Sequence, residues 1–283
     1  MLGVGMAAGL YDAAFATLGR LFGAGARPAI TALTLWGGFA STVCWPLSAY
    51  LVEHMGWRGT CFAYAGLLLA LALPLVLLVL PSASLLPDPG AAAGSAGASP
   101  LRGRERRAFV LLAGILTLSG ATTAIISVHL LTLLQAQGAS LATAVSLGAL
   151  VGPSQVAARV IEMANRGRHH PIWTLTAAMG LIALGLVLLW TGFPILAAAL
   201  VLYGAGNGVY SIARGTLPLA LFGPARYAPL LGRLAQPNLV ASALAPSLGA
   251  VVLAQGGTHA TLTVLAGLAV INLLLVGALW RER

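Results

Sequence analysis

Residues 171–222 decide the fold. The stretch 171–191, PIWTLTAAMGLIALGLVLLWT, carries no charged side chain, and 195–222, ILAAALVLYGAGNGVYSIARGTLPLALF, carries one, Arg214. Each is long enough to cross the hydrocarbon of a bilayer, which takes about 20 apolar residues as a helix. The gap between them is too short for any other domain. The same pattern fills the chain. Of 283 residues, 59% are hydrophobic and only 7% charged, with a mean hydropathy of +0.94. A soluble domain carries about 25% charged residues, so this chain cannot cover a soluble surface. Its expected class is an all-α membrane protein, a polytopic helical bundle lying in the lipid bilayer.

Apolar runs bounded by Gly, Pro and Arg predict about nine transmembrane helices, at 2–21, 29–52, 60–80, 108–134, 141–163, 171–191, 195–222, 228–254 and 259–280. The N-terminal run has no basic leader and contains Asp12, so it is expected to stay as a span rather than serve as a signal peptide. One long connection, 81–107, is rich in Pro, Gly, Ala and Ser and ends in RGRERR. It cannot bury enough apolar surface to fold and is expected to be a linker. The expected domains are therefore 1–80, a linker at 81–107, and 108–283.

Orientation follows from arginine. All fifteen basic residues are Arg, and the formal charge is +9. Twelve of them fall in alternate connections (Arg20, Arg27, Arg102, Arg104, Arg106, Arg107, Arg166, Arg168, Arg226, Arg233, Arg281 and Arg283), while the opposite connections hold only Arg58. Short basic loops stay in the cytoplasm, so the C-terminus is expected to be cytoplasmic and the linker likewise. Scattered in this way, the charge does not build a nucleic-acid face. The absence of Lys leans towards a GC-rich bacterial gene and hence a bacterial inner membrane.

Two stretches resemble each other at an offset of about 200. Tyr11 aligns with Tyr210, Phe22-Gly23 with Phe222-Gly223, Arg27 with Arg226, Pro46 with Pro246, Gly56 with Gly256, and Ala65-Gly66-Leu67 with Ala266-Gly267-Leu268. The first three spans thus repeat as the last three in the same orientation, the pattern of transporters built from two similar halves. By that symmetry, a first copy of spans four to six is expected ahead of Met1, three further helices.

These features resemble the C-terminal three quarters of a major facilitator superfamily transporter. Gly37-Gly38-Phe39 through Trp45-Pro46 looks like a loose form of the Gly/Pro-rich signature on that family's fifth helix, and Gly56-Trp57-Arg58 like the opening of its sixth. Gly152-Pro153-Ser154-Gln155 through Arg159, with Asn165-Arg166-Gly167-Arg168, is similar to the weaker copy of its cytoplasmic loop signature. The resemblance implies an incomplete two-bundle architecture that moves a small solute by alternating access, with protons as a candidate coupling ion. It also implies a role for Gln155, Arg159 and Glu162 at the cytoplasmic mouth, Arg159 and Glu162 forming the gate.

Polar residues within the spans are the candidate site, because a charge in lipid costs several kcal/mol unless paired or hydrated. Tyr203, Asn207, Tyr210 and Arg214 share one helix face at i, i+4, i+7 and i+11. That stripe suits a water-filled path in which Arg214 meets an anionic group; the alternative is an arginine that snorkels to the surface. Asp12, mid-span, suits a counter-ion or protonatable group. His129 suits a titrating group or a plain hydrogen bond. Gln155, Arg159 and Glu162 lie at the inner end of the fifth span, where Arg159 and Glu162 are spaced to pair at i, i+3.

Catalysis is not expected, since no paired carboxylate, HExxH or activated nucleophile is present. Neither a cofactor nor a metal is expected. Gly204-Ala205-Gly206-Asn207-Gly208 is not a phosphate loop, lacking a preceding strand and a following Gly-Lys, and Cys44 and Cys61 give no disulfide framework. The expected function is secondary active transport of a small solute, with Arg214 and the scarcity of acidic groups favouring an organic anion. A non-transporting polytopic protein, such as a sensor or assembly factor, and a gene fragment stay open as alternatives.

Overall fold

The computed structural model describes residues 11–79, 101–164 and 168–282. Among them the chain is helical, with no strand. With no water to satisfy N–H and C=O groups in hydrocarbon, a segment that crosses it alone must make its hydrogen bonds internally. The order is α1 (Tyr11–Phe22), α2 (Ala26–Leu67), a π-turn at Leu68–Ala72, α3 (Leu73–Val79), α4 (Gly103–Ala136), α5 (Leu141–Gly148), α6 (Val151–Ala164), α7 (Pro171–Trp190), α8 (Leu196–Phe222) and α9 (Pro224–Trp280). Six helical stretches are long and apolar enough to cross a membrane: Tyr50–Val79, Gly103–Ala136, Leu141–Ala164, Pro171–Trp190, Leu196–Phe222 and Pro224–Trp280.

Two pairs of expected spans are not separated by loops. At 57 residues, α9 would be roughly 85 Å long if straight, far more than a bilayer needs. It turns back at Gly257 (φ 70°, ψ −171°). The reversal is visible at its ends, both of which meet the start of α4: Arg226 binds Glu105, and Arg104 donates to the carbonyl of Arg281 at 3.1 Å. Helix α2 breaks in the same way at Gly56 (φ 68°, ψ 173°). Positive φ with extended ψ is open to Gly and almost closed to other residues. A threonine follows each break by four residues, Thr60 and Thr261, and donates to the glycine carbonyl at 2.9 and 3.0 Å. The sequence alignment pairs Gly56 with Gly256; the backbone pairs it with Gly257. Gly23 and Gly223, after Phe22 and Phe222, also share positive φ, so the two segments bend at matching places.

Two further boundaries differ from expectation. The fifth span is two helices with a turn at Ala149–Leu150, because Pro153 has no N–H for the carbonyl four residues back. Helix α4 starts at Gly103, so Arg104–Arg107, expected to be linker, form its first turns. Apolar patterning begins only at Ala108, which is why the sequence hides them. Polar caps mark other starts: Ser140 accepts from the N–H of Thr143 at 3.1 Å, and His170 accepts from the N–H of Ile172 before Pro171. Residues 1–10, 80–100 and 165–167, and with them most of the linker and Asn165-Arg166-Gly167, lie outside the described residues.

The core joins α4, α7, α8 and α9 around Leu112, Ile115, Leu175, Met179, Leu186, Leu200, Leu234 and Leu265. Without a hydrophobic drive between helices in lipid, close approach depends on small residues. A Cβ on Gly185 would lie 2.6 Å from the carbonyl of Ala199, and one on Gly206 would lie 2.7 Å from that of Ala178. A smaller cluster of Phe15, Ala26, Ile30, Leu219, Tyr227 and Leu231 fastens α1 and the start of α2 to α8 and α9. Beyond it, large side chains such as Trp36, Phe62, Leu77 and Leu78 are exposed, as lipid-facing residues are.

Gly185→Val should cost about 1–3 kcal/mol of overpacking and lower the melting temperature of detergent-solubilised protein. Gly180→Val, on the same helix with nothing within 4 Å of its Cβ position, should leave it nearly unchanged.

Candidate functional site

Helix α8 is sided by its glycines. Gly204 and Gly208 leave room for the backbone of α6 at Val151 and Gln155, while Gly215 leaves room for Phe15 of α1 and Ile30 of α2. The polar residues of α8 are thereby carried to a seam where α1 and α2 meet the larger bundle.

At its centre Arg214 reaches Asp12. Its Nη2 lies astride the carboxylate, 2.7 Å from Oδ1 and 2.5 Å from Oδ2, and the two side chains are 21% and 24% exposed. Each ion thus answers the cost of the other, and both keep an accessible face. Arg214 does not snorkel as a lone cation. One turn away, the Tyr210 hydroxyl turns towards Ser119 of α4 but makes no hydrogen bond of ordinary geometry, and it is buried. Asn207 is half-buried on the same helix.

The second group centres on Arg159, only 5% exposed. Its Nε donates to the Gly208 carbonyl (3.3 Å) and Ser211 Oγ (3.1 Å), Nη1 to the Thr34 carbonyl (3.1 Å), and Nη2 to Gln155 Oε1 (3.3 Å). No carboxylate lies within 4.0 Å among the described residues, so the expected Arg159–Glu162 pair is absent. Arg159 turns into the seam, whereas Glu162 turns towards His169 (3.1 Å), Thr174 Oγ1 (2.7 Å) and Arg27 (4.0 Å). The Gly37-Gly38 pair has a physical reason here. A Cβ on Gly37 would strike the Tyr11 hydroxyl, and one on Gly38 would strike Arg159 Nη1.

Two expected members stand apart. His129 bonds the Pro246 carbonyl at 3.0 Å, ten residues along α4 from Ser119 and so about 15 Å further from the pair. It serves contact between α4 and α9, not Asp12 or Arg214. Tyr203 is buried against α7 beside Gly185. Residues that sequence reasoning missed complete the seam: Tyr11, Arg27, Thr34, His169, Thr174 and Tyr227, whose hydroxyl donates to the Gly215 carbonyl at 2.8 Å. Of these, Tyr11 and Arg27 gave a signal in the sequence, as partners of Tyr210 and Arg226 in the repeat. At the Arg-rich end, Arg226 donates two hydrogen bonds to the Glu105 carboxylate and staples the start of α9 to the start of α4.

Gly38→Ala should lower the melting temperature, and Arg159→Ser, which removes the colliding guanidinium, should make that second change milder. A double-mutant cycle should return a coupling of about 1–2 kcal/mol; simple additivity would contradict the contact.

No family model matches the sequence, and no curated protein does. Among solved structures, the fold is similar to that of the human organic anion transporter MFSD10 (TETRAN), with a TM-score of 0.73 at 19% identity, over 96% of this chain and 68% of that one. The chain therefore shares the fold of that structure, and six of its helical stretches are long and apolar enough to cross a membrane.

Proposed function

We propose that this chain performs secondary active transport of a small organic anion by alternating access, with Asp12, Asn207, Tyr210 and Arg214 at the site. The observation that carries the reading is the Arg214–Asp12 pair, partly exposed at the seam between α1 and the larger bundle. An accessible guanidinium held by a single carboxylate is a site where an anion can compete. Protonating Asp12 would release Arg214 for a substrate carboxylate or phosphate, which couples binding to protons in one step. Tyr210, one turn away on the same helix and buried with its hydroxyl turned towards Ser119, would line the inner wall of that site. The structural neighbour MFSD10 is an organic anion transporter, which favours the same class of solute here.

The contacts Arg159–Thr34, Arg27–His169 and Phe15–Gly215 would act as the latch on one side of that site, formed in this state and broken in the alternate one. Residues 11–79 would then move against 103–282 as bodies, connected through the segment between them. Gln155, Arg159 and Glu162 belong to the latch rather than to the substrate. The arginine bias places the latched end and the C-terminus in the cytoplasm; a bacterial inner membrane is the setting that the Lys-free composition favours. His129 and Tyr203 are assigned no part.

The experiment is uptake of a labelled organic anion by the reconstituted 283-residue chain, with and without an imposed pH gradient. Arg214→Ala should reduce uptake about a hundredfold or more at equal protein level. Arg214→Lys should also lose most of it, because an ammonium keeps the charge without the planar fork. Asp12→Asn should keep exchange but lose the response to the gradient. Unchanged uptake in both Arg214 variants would refute the site.

A further inference from the structure

A groove of about 680 Å³ lies at the Arg-rich end, between the first turns of α4 and the last turn of α9, and neither Asp12 nor Arg214 lines it. Gly103, Arg106, Arg107, Arg281 and Glu282 line its upper part, and Val110, Leu111 and Ala278 its lower part. Arg107 and Val110–Leu111 are one helical turn apart, as are Ala278 and Arg281–Glu282. Both walls therefore carry charge above an apolar step. Glu282 is engaged by Arg107 at 3.8 Å, while Glu105 is turned away to Arg226. Arg106 and Arg281 have no carboxylate within 4.0 Å among the described residues, and the groove keeps a net positive charge.

The walls are held in place independently of any ligand. Arg104 ties α4 to the Arg281 carbonyl. The end of α9 is fixed by Trp280, whose indole N–H donates to Thr176 Oγ1 at 2.9 Å and whose ring meets Trp173 edge-on at a centroid distance of 4.5 Å. The groove thus sits at the ends of two helices long and apolar enough to cross a membrane, with cations at the end and apolar side chains one turn along.

We infer that this groove binds an anionic phospholipid, its phosphate between Arg106 and Arg281 and an acyl chain along Val110, Leu111 and Ala278. A free phosphate would satisfy the arginines but leave the apolar step unused; a lipid uses both, and basic pockets between membrane helices have this preference. The inference does not depend on transport or on Arg214.

The test is thermal stability and retained lipid, by native mass spectrometry, of the purified chain titrated with phosphatidylglycerol or phosphatidylcholine, with glycerol phosphate in a separate arm. Phosphatidylglycerol should be retained about tenfold better than phosphatidylcholine, and glycerol phosphate should give no stabilisation at the same concentration. Arg106→Gln with Arg281→Gln should abolish the preference. Arg106→Lys with Arg281→Lys should retain most of it, which separates loss of binding from loss of folding. Arg20→Gln, outside the groove, should change nothing. A preference that survives the double Gln variant, or equal stabilisation by glycerol phosphate, would overturn the assignment.

Discussion

A buried guanidinium with no carboxylate within 4.0 Å among the described residues sets the terms of this structure. Arg159 is sequestered among helices α2, α6 and α8, and its charge is met by the carbonyls of Thr34 and Gly208 and by the side chains of Gln155 and Ser211. Such an arrangement tolerates little displacement, because each lost hydrogen bond leaves part of a buried charge unanswered. It fixes how close α2 must come to α6, and Gly38 is the residue that permits the approach. It equally fixes α6 against α8, where Gly204 and Gly208 remove the side chains that would hold the backbones apart. The seam that carries Asp12 and Arg214 follows from these distances.

The two arginines of the seam differ in kind. Arg159 is enclosed and answered by neutral dipoles, so its bonds act as a joint. Arg214 is partly open and answered by one carboxylate, so its bond is an exchangeable one. The ion pair joins α1 to α8, and the enclosed arginine joins α2 and α6 to α8.

Much of the architecture was legible because lipid imposes long uncharged runs, and segments such as 171–191 contain nothing else. The α8 stripe was legible in part: helical spacing puts Tyr203, Asn207, Tyr210 and Arg214 on one face, of which Arg214 reaches the seam through Asp12 while Tyr203 is buried against α7. The partner of Arg214 was not legible, since Asp12 lies 202 residues away and only the packing of Phe15 and Ile30 on Gly215 brings them together. Spacing misled at α6. Residues three apart can pair, but Glu162 finds His169 and Thr174 in the next loop and helix, and Arg159 finds carbonyls across the seam. The Gly56 and Gly257 reversals were read as loops, because the polar residues around each, Glu53, His54 and Arg58 at the first and Gln255 and Thr258 at the second, look like a connection although the helix resumes within one residue.

The reversal at Gly257 has a consequence for how the chain enters the bilayer. Between Arg233 and Arg281 the sequence holds no Asp, Glu, Lys or Arg, and His259 is the one titratable group near the bend. Two antiparallel limbs joined by a single residue can therefore partition together, their mutual contacts formed before either faces lipid alone, and no formal charge has to be dragged across. The bend at Gly56 is different, since Glu53 and Arg58 flank it, and its tip must carry charge through the hydrocarbon. The two hairpins share a backbone shape but carry unequal charge at their tips, so the cost of passing a tip through hydrocarbon falls on the N-terminal one.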